Sequence, residues 1–299
     1  MQCSYACGTN EHRIARRSFL GGLIGGMGAV AGGLGALTRP AVAKELTSQQ
    51  KRVLVIYMSG GLSQLESWDP KPGAETGGPF RAIPTSVPGV HLSELLPQTA
   101  QQMHNLAIVR SINTKNDDHA KGNYMMLHGR REMPGVDYPV IGAVCAKALE
   151  PQDTTLPGHI YISPGGSGTR RNDAAYLGPK YSSVVLDNGR PPQNSARPEI
   201  VSETADVSRN AFRRRVNDHF AKRRRTAETD AYTQNYEQAL ELMKRREIFD
   251  ISHEPAADRE RYGEHDFGRH CLLARRLLEH GITFVQVTHT NYDTHNENF

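Results

Sequence analysis

The sequence predicts an α/β fold with a mostly parallel central sheet flanked by helices. Three observations carry that prediction. Short, β-rich apolar runs recur along the chain, and the first, Val53 to Met58, is continuous, as in a strand covered on both faces. Stretches with helical periodicity separate these runs. Polar clusters rich in Gly, Asp, Asn and His follow several of the runs, where ligands bind in open parallel sheets.

The first element in chain order is a leader rather than part of the fold. Arg16 and Arg17 form a twin-arginine pair ahead of Ser18, Phe19 and Leu20. Phe19 to Leu37 carries no charge, and eight of its residues are Gly. Ala41 to Ala43 reads as a small-x-small cleavage site, so 1–43 predicts a twin-arginine export signal and a periplasmic or cell-surface protein. The competing reading is a membrane anchor, but Gly makes the run weakly apolar and the cleavage site follows it directly. The expected partner is the twin-arginine export machinery, with no stable membrane anchor after cleavage.

The domain then predicts as 44–299, long enough for one large core. The whole chain carries a net charge of +4, but four arginines and one acid lie in the leader, leaving +1 for 44–299. Such a balance gives no argument for nucleic acid. Cys145 and Cys271 are the cysteines beyond the leader. They are either buried free thiols or one bridge formed in an oxidising compartment.

Val53 to Met58, ended by Gly60 and Gly61, predicts a central strand buried on both faces. A short helix is expected around Pro97, and Leu106 to Ser111 predicts a second strand. Ile141, Val144, Cys145, Ala148 and Leu149 share a helical face behind Pro139. His159 to Ser163 predicts a third strand. From Pro164 to about Pro198, Gly, Pro, Ser and Asn predict long loops. The stretch from Phe212 to Asp250 is strongly helical, with Tyr232, Tyr236, Ala239, Leu240 and Met243 as its apolar stripe. The basic runs 213–215 and 222–225 are interspersed with acids and lack an aromatic platform, so they read as a solvated helical face and not as a nucleic-acid site. Glu254-Pro255 opens a helix that Gly263 stops. Phe267, Cys271, Ala274 and Leu278 form one face of the next, which Gly281 ends. Ile282 to Val287 is the last expected strand.

Three polar clusters are candidates for chemistry. After the first strand, Gly60 and Gly61 let the backbone approach a ligand, and Ser59, Ser63, Glu66 and Asp69 supply hydroxyls and carboxylates. An ordinary strand-to-helix loop is the bland alternative. After the second run come Asn113, Asp117, Asp118 and His119. His119 is a ligand, a substrate contact, or a loop histidine bonded to a carboxylate. After the last strand come Asp293 and His295, an oxygen and a nitrogen donor that suit Zn, Mn or Fe better than Ca or Mg. No phosphate-binding P-loop, G-x-S-x-G elbow or H-E-x-x-H motif is present in the sequence. Nor is the C/S-x-P-x-R run from which sulfatases make their nucleophile.

The leader segment "RRSFLGG", the run "VLVIYMSGGLSQLESWDPKPG", "LAIVRSI", the stretch from Glu247 through Val287 and the terminal "YDTHNENF" together resemble the exported bacterial family of domain of unknown function 1501. The resemblance covers most of 13–299. That family is placed in the alkaline-phosphatase and sulfatase-like superfamily. Membership implies an alkaline-phosphatase-like fold and hydrolysis or transfer of phosphate or sulfate esters with one or two divalent metals, Zn, Mn or similar. The match implies Asp69, Asp293 and His295 as metal ligands and places Ser63 where a hydroxyl nucleophile would sit. Gly60, Gly61 and His119 would lie beside an ester substrate. Glu66 stands where the family usually has Asp, and Tyr292 where it has Trp. Family members continue through "GEFGRTP"-like and "GRDHWP"-like segments, so the chain is expected to be incomplete at its C-terminus, inactive by itself, and to leave a sheet edge unpaired. The alternative is a non-catalytic exported binding or scaffold protein associated with a surface or polysaccharide.

Overall fold

The computed structural model describes residues 51–110, 112–151, 154, 156–165, 173–192, 195–224 and 227–294. The export segment expected at 1–43, and His295, lie outside them.

Four strands build the main sheet. They are β1 (Val53–Met58), β4 (His159–Ser163), β5 (Val184–Asp187) and β6 (Phe284–His289). Their order is β1-β6-β4-β5, and every neighbouring pair is parallel. The fold is therefore mixed α/β, with a parallel sheet flanked by helices. A separate antiparallel ribbon joins β2 (Ala82–Pro84) to β3 (His91–Ser93).

The helices are α1 (Pro97–Gln101), α2 (His119–His128), α3 (Ile141–Leu149), α4 (Glu203–Arg224), α5 (Ala227–Lys244), α6 (Ala256–Tyr262) and α7 (Asp266–Glu279). The amphipathic pattern of α7 works as expected. Leu272, Leu273, Ala274 and Leu277 are buried, and Leu273, Ala274 and Leu277 share a core with Ile160, Ile162, Val285 and Val287. Each buried Leu, Ile or Val side chain among them contributes roughly 1.5–3 kcal/mol by leaving water. His265 caps α7 by accepting a hydrogen bond from the Gly268 amide at 3.0 Å. Gly281, at φ +100°, turns the chain out of α7 toward β6.

Several expectations are corrected. β1 lies at an edge of the sheet rather than its centre, and Leu54 and Ile56 are exposed. The two inner positions are taken by β6 and β4. Leu106–Arg110, expected as a strand, has no strand pairing. Ile108 packs instead on a small core of Leu92, Ala100 and Met103 beneath the β2–β3 ribbon. The expected loop region contains β5, whose short apolar run is stabilised by parallel pairing with β4. On α3 the buried face is Gly142, Ala143, Ala146 and Leu149, while Ile141 is exposed. The reason is close approach, because a side chain at Gly142 would collide with the His159 ring. On α5, Tyr232, Tyr236 and Ala239 are exposed and Leu242 is the buried anchor. The Arg213 guanidinium lies 4.6 Å from the Tyr236 ring centre, and Arg213 and Arg214 both donate to Glu237. Those hydrogen bonds, Arg214's first, hold the Glu237 carboxyl down at about 2.

Two buried carboxylates differ sharply. Glu254 is paired on both oxygens, with Arg276 at 2.6 Å and Arg275 at 2.5 Å. Arg276 also donates to the carbonyls of Ile248 and Glu247, which clamps that turn onto α7. Glu150, at the end of α3, is almost wholly buried, and neither carboxylate oxygen accepts a hydrogen bond. Its nearest cation is Lys180 Nζ at 3.8 Å. Burial pushes its carboxyl up to about 7, against a smaller opposing pull from Lys180. Cys145 and Cys271 are free and partly buried, and burial pushes the Cys271 thiol up to about 11.

Candidate functional site

β1 and β6 run side by side and end level, with Met58 opposite His289. Their following loops therefore leave the sheet at the same edge, the carboxyl edge where parallel sheets bind ligands. The Ser59 amide donates to the His289 carbonyl at 2.8 Å and continues the pairing into the loops. Gly60 then turns at φ +109°. A β-carbon there would stand 2.6 Å from the Asp293 amide nitrogen, so only glycine lets the two loops meet. Gly61, at φ +82°, completes the turn.

The other side of the site is the start of α2. Asp118 caps this helix by accepting from the Lys121 amide at 2.8 Å, and that hydrogen bond holds its carboxyl below the usual range. The preceding loop is shaped by local side-chain hydrogen bonds. Asn113 accepts from the Lys115 amide at 2.7 Å, and Asn116 from the Asp118 amide at 2.9 Å. The Tyr57 hydroxyl, at the end of β1, donates to Asn123 at 2.5 Å and ties α2 to the strand. His119, in the first turn of α2, is thereby brought to the loop after β6. Its Nε2 lies 3.2 Å from Asp293 Oδ2.

A cleft of about 1330 Å³ opens between these elements. Its polar end holds Ser59, Gly60, Gly61, His119 and Asp293. The loop after β6 is braced by the Tyr292 hydroxyl, 2.9 Å from His289 Nδ1, and by packing of the His289 ring on Phe267.

The structure thus brings together Gly60, Gly61, His119 and Asp293. It places Asp69 and Ser63 differently. The Asp69 carboxylate is held by Lys71 at 2.8 Å, by the Gln64 amide at 3.2 Å and by Arg110 at 3.7 Å. Gln64 also donates to the Arg110 carbonyl at 3.2 Å. Asp69 therefore braces the loop after β1 against the segment 106–110, from behind the cleft wall. Leu62 and Gln64 line the cleft, whereas Ser63 between them does not. The Ser63 carbonyl accepts from the Ser67 hydroxyl at 2.5 Å.

Among the described residues, no three His, Cys, Asp or Glu side chains converge on one point. Two donors do. Ligand atoms about 2.0–2.1 Å from one tetrahedral zinc ion lie roughly 3.3 Å apart, close to the His119–Asp293 separation of 3.2 Å. At that distance the two side chains, both exposed, make an imidazole–carboxylate contact, the loop histidine bonded to a carboxylate that the sequence also allowed.

Two features of the site were not read from the sequence. Tyr57 looked like core, yet its hydroxyl reaches the site helix. The run 106–110 looked like a strand, yet Leu106, Val109 and nearby Ile112 wall the cleft. Exposed apolar residues beside polar clusters were the available signal.

Comparison with curated proteins and with solved structures finds no match. A family model described as "Protein of unknown function (DUF1501)" matches residues 50–299. That span takes in both strands that frame the cleft, the helix that supplies His119 and the loop that supplies Asp293, and the chain belongs to the DUF1501 family.

Proposed function

We propose that the cleft belongs to a metal-dependent hydrolase of phosphate or sulfate esters with an alkaline-phosphatase-like site. The observation that carries this reading is the 3.2 Å approach of His119 Nε2 to Asp293 Oδ2 beyond the ends of adjacent parallel strands. His119, Asp293 and His295 would hold a divalent ion, Zn or Mn. When bound, such an ion polarises an ester oxygen and lowers the pKa of water. Gly60 gives its side-chain space to the Asp293 backbone, and Gly61, where a β-carbon would meet nothing within 4 Å, leaves the wall open beside the ester group. Asp69 orders the loop after β1 through Lys71, Gln64 and Arg110. Ser63 would have to turn inward from between Leu62 and Gln64 to act as nucleophile, so attack by water needs less rearrangement.

The twin-arginine pair and the uncharged run behind it support export by the twin-arginine route. Among the described residues no helix is long and apolar enough to cross a membrane. A second reading, an exported binding protein without turnover, draws on the breadth of the cleft, which suits retention of a large ligand.

The test is metal content after loading with Zn²⁺ or Mn²⁺ and dialysis, read by mass spectrometry beside hydrolysis of p-nitrophenyl phosphate and sulfate. The expected result is a retained ion that Asp293→Ala and His119→Ala each release. Equal retention by both variants would sink the metal assignment. Retention without hydrolysis would favour the binding reading.

A further inference from the structure

We infer that the organic part of the ligand is large, apolar and free of negative charge: the alkyl or aryl portion of an amphiphilic phosphate or sulfate ester. This inference rests on the hydrolase reading for the headgroup and goes beyond it for the rest of the molecule.

Three properties of the cleft point the same way. The first is size. A volume of about 1330 Å³ exceeds the range of roughly 300–1,000 Å³ that encloses drug-sized ligands. The His119–Asp293 end accounts for one small headgroup, and the remaining space needs an occupant.

The second is the wall. Leu62, Trp68, Leu106, Val109, Ile112 and Met126 all line the cleft. Val109 and Ile112 are 67% and 62% exposed, and Leu106 and Met126 are exposed as well. Apolar side chains gathered at that exposure in a concave surface mark a binding wall. This wall is continuous with the polar end, because Leu62 follows Gly61 directly and Met126 lies two turns along α2 from His119.

The third is charge. Asp117, Asp118 and Asp293 line the cleft. Among the described lining residues the single Lys or Arg is Arg110. It donates to the His91 carbonyl at 2.8 Å and pairs with Asp69 at 3.7 Å. Beyond the headgroup site, a nucleotide or other polyanionic portion would meet Asp117 and Asp118 with Arg110 as the one Lys or Arg among the described lining residues. The apolar residues form one part of the lining, and Tyr57, Gln64, Asn113, Asn116 and Asn123 are among its polar groups.

The chain's single tryptophan, Trp68, sits in the wall and reports on it directly. The experiment titrates the Zn²⁺-loaded protein with methylphosphonate, butylphosphonate and octylphosphonate, and with 1-octanol as the headgroup-free probe, following Trp68 emission. Each methylene fully drawn onto the wall strengthens binding about fourfold. Octylphosphonate should therefore bind at least about 100-fold tighter than methylphosphonate. The double substitution V109S/I112S should cut that ratio about tenfold, with the circular dichroism spectrum as the check on folding. Affinity independent of chain length would overturn the inference, as would an unchanged ratio in the folded double variant. Failure of the hydrolase reading looks different: 1-octanol and octylphosphonate would bind alike, Asp293→Ala would change neither, and chain-length dependence would persist.

Discussion

Replacing Glu150 by Gln should stabilise the protein, and only above the pH at which a free carboxyl ionises. Glu150 is buried with neither oxygen hydrogen-bonded, and its one nearby cation is 3.8 Å away. Its carboxyl titrates at about 7 in the folded chain against 4.5 as its ordinary value. The folded state therefore holds a proton that the unfolded state has released across this window. Stability is full below about pH 4.5 and falls as pH rises toward 7, above which the loss is constant. At about 1.4 kcal/mol per pKa unit, the displacement corresponds to roughly 3 kcal/mol. Gln cannot ionise, so Glu150→Gln removes the dependence. The amide also changes packing beside Gly158, but that effect is the same at every pH. The decisive quantity is the difference between two differences. Denaturant unfolding of both proteins at pH 4 and pH 8 should show the variant gaining about 3 kcal/mol on the parent between the two. Parallel stability curves would refute the argument and mean that water or a closer Lys180 solvates the carboxylate.

Three further outcomes are expected. Gly60→Ala forces a β-carbon against the Asp293 amide at a backbone angle that L residues avoid; it should destabilise by about 2 kcal/mol or more in chemical unfolding and weaken Zn²⁺ retention. Glu254→Ala removes the carboxylate that pairs with Arg276 and Arg275 and leaves Arg276 with its carbonyl contacts alone, while Arg275 keeps Asp258; it should cost about 3 kcal/mol, and a loss of unfolding free energy below about 1 kcal/mol would show that the pair is solvated. Tyr57→Phe removes the hydrogen bond to Asn123 and should lower stability by about 1 kcal/mol, with faster amide exchange confined to the first turn of α2 as the discriminating signal.

What the sequence made legible followed from strong local signals. β1, β4, β6 and α7 could be read because apolar runs of five or six residues and a full helical stripe leave few alternatives. Their order could not be read, because nothing local in Val53–Met58 says that Phe284 rather than Leu106 lies beside it. β5 was hidden in a loop-like composition, since three apolar residues need a partner strand before they signal anything. The face of α3 was misjudged because Gly142 is buried through having no side chain, which a hydrophobicity pattern scores as neutral. Within the site, Gly60, Gly61, His119 and Asp293 were legible as polar clusters after apolar runs. The pairing of His119 with Asp293 was not, because it is set by how the start of α2 packs over the end of β1. Asp69 looked the same as Asp293 in sequence, and only its partners Lys71, Gln64 and Arg110 distinguish a bracing carboxylate from one that faces the cleft.

The position of β6 also governs when the protein can become itself. It is the common neighbour of β1 and β4, and Phe284 pairs with both Val53 and His159. Until that strand is made, a growing chain has no way to join its two halves into one sheet, and the loops that form the cleft have nothing to hold them level. Contacts of such long sequence separation close slowly. Assembly of the sheet and assembly of the site are then a single event, and any lesion in 284–289 is felt as loss of both together.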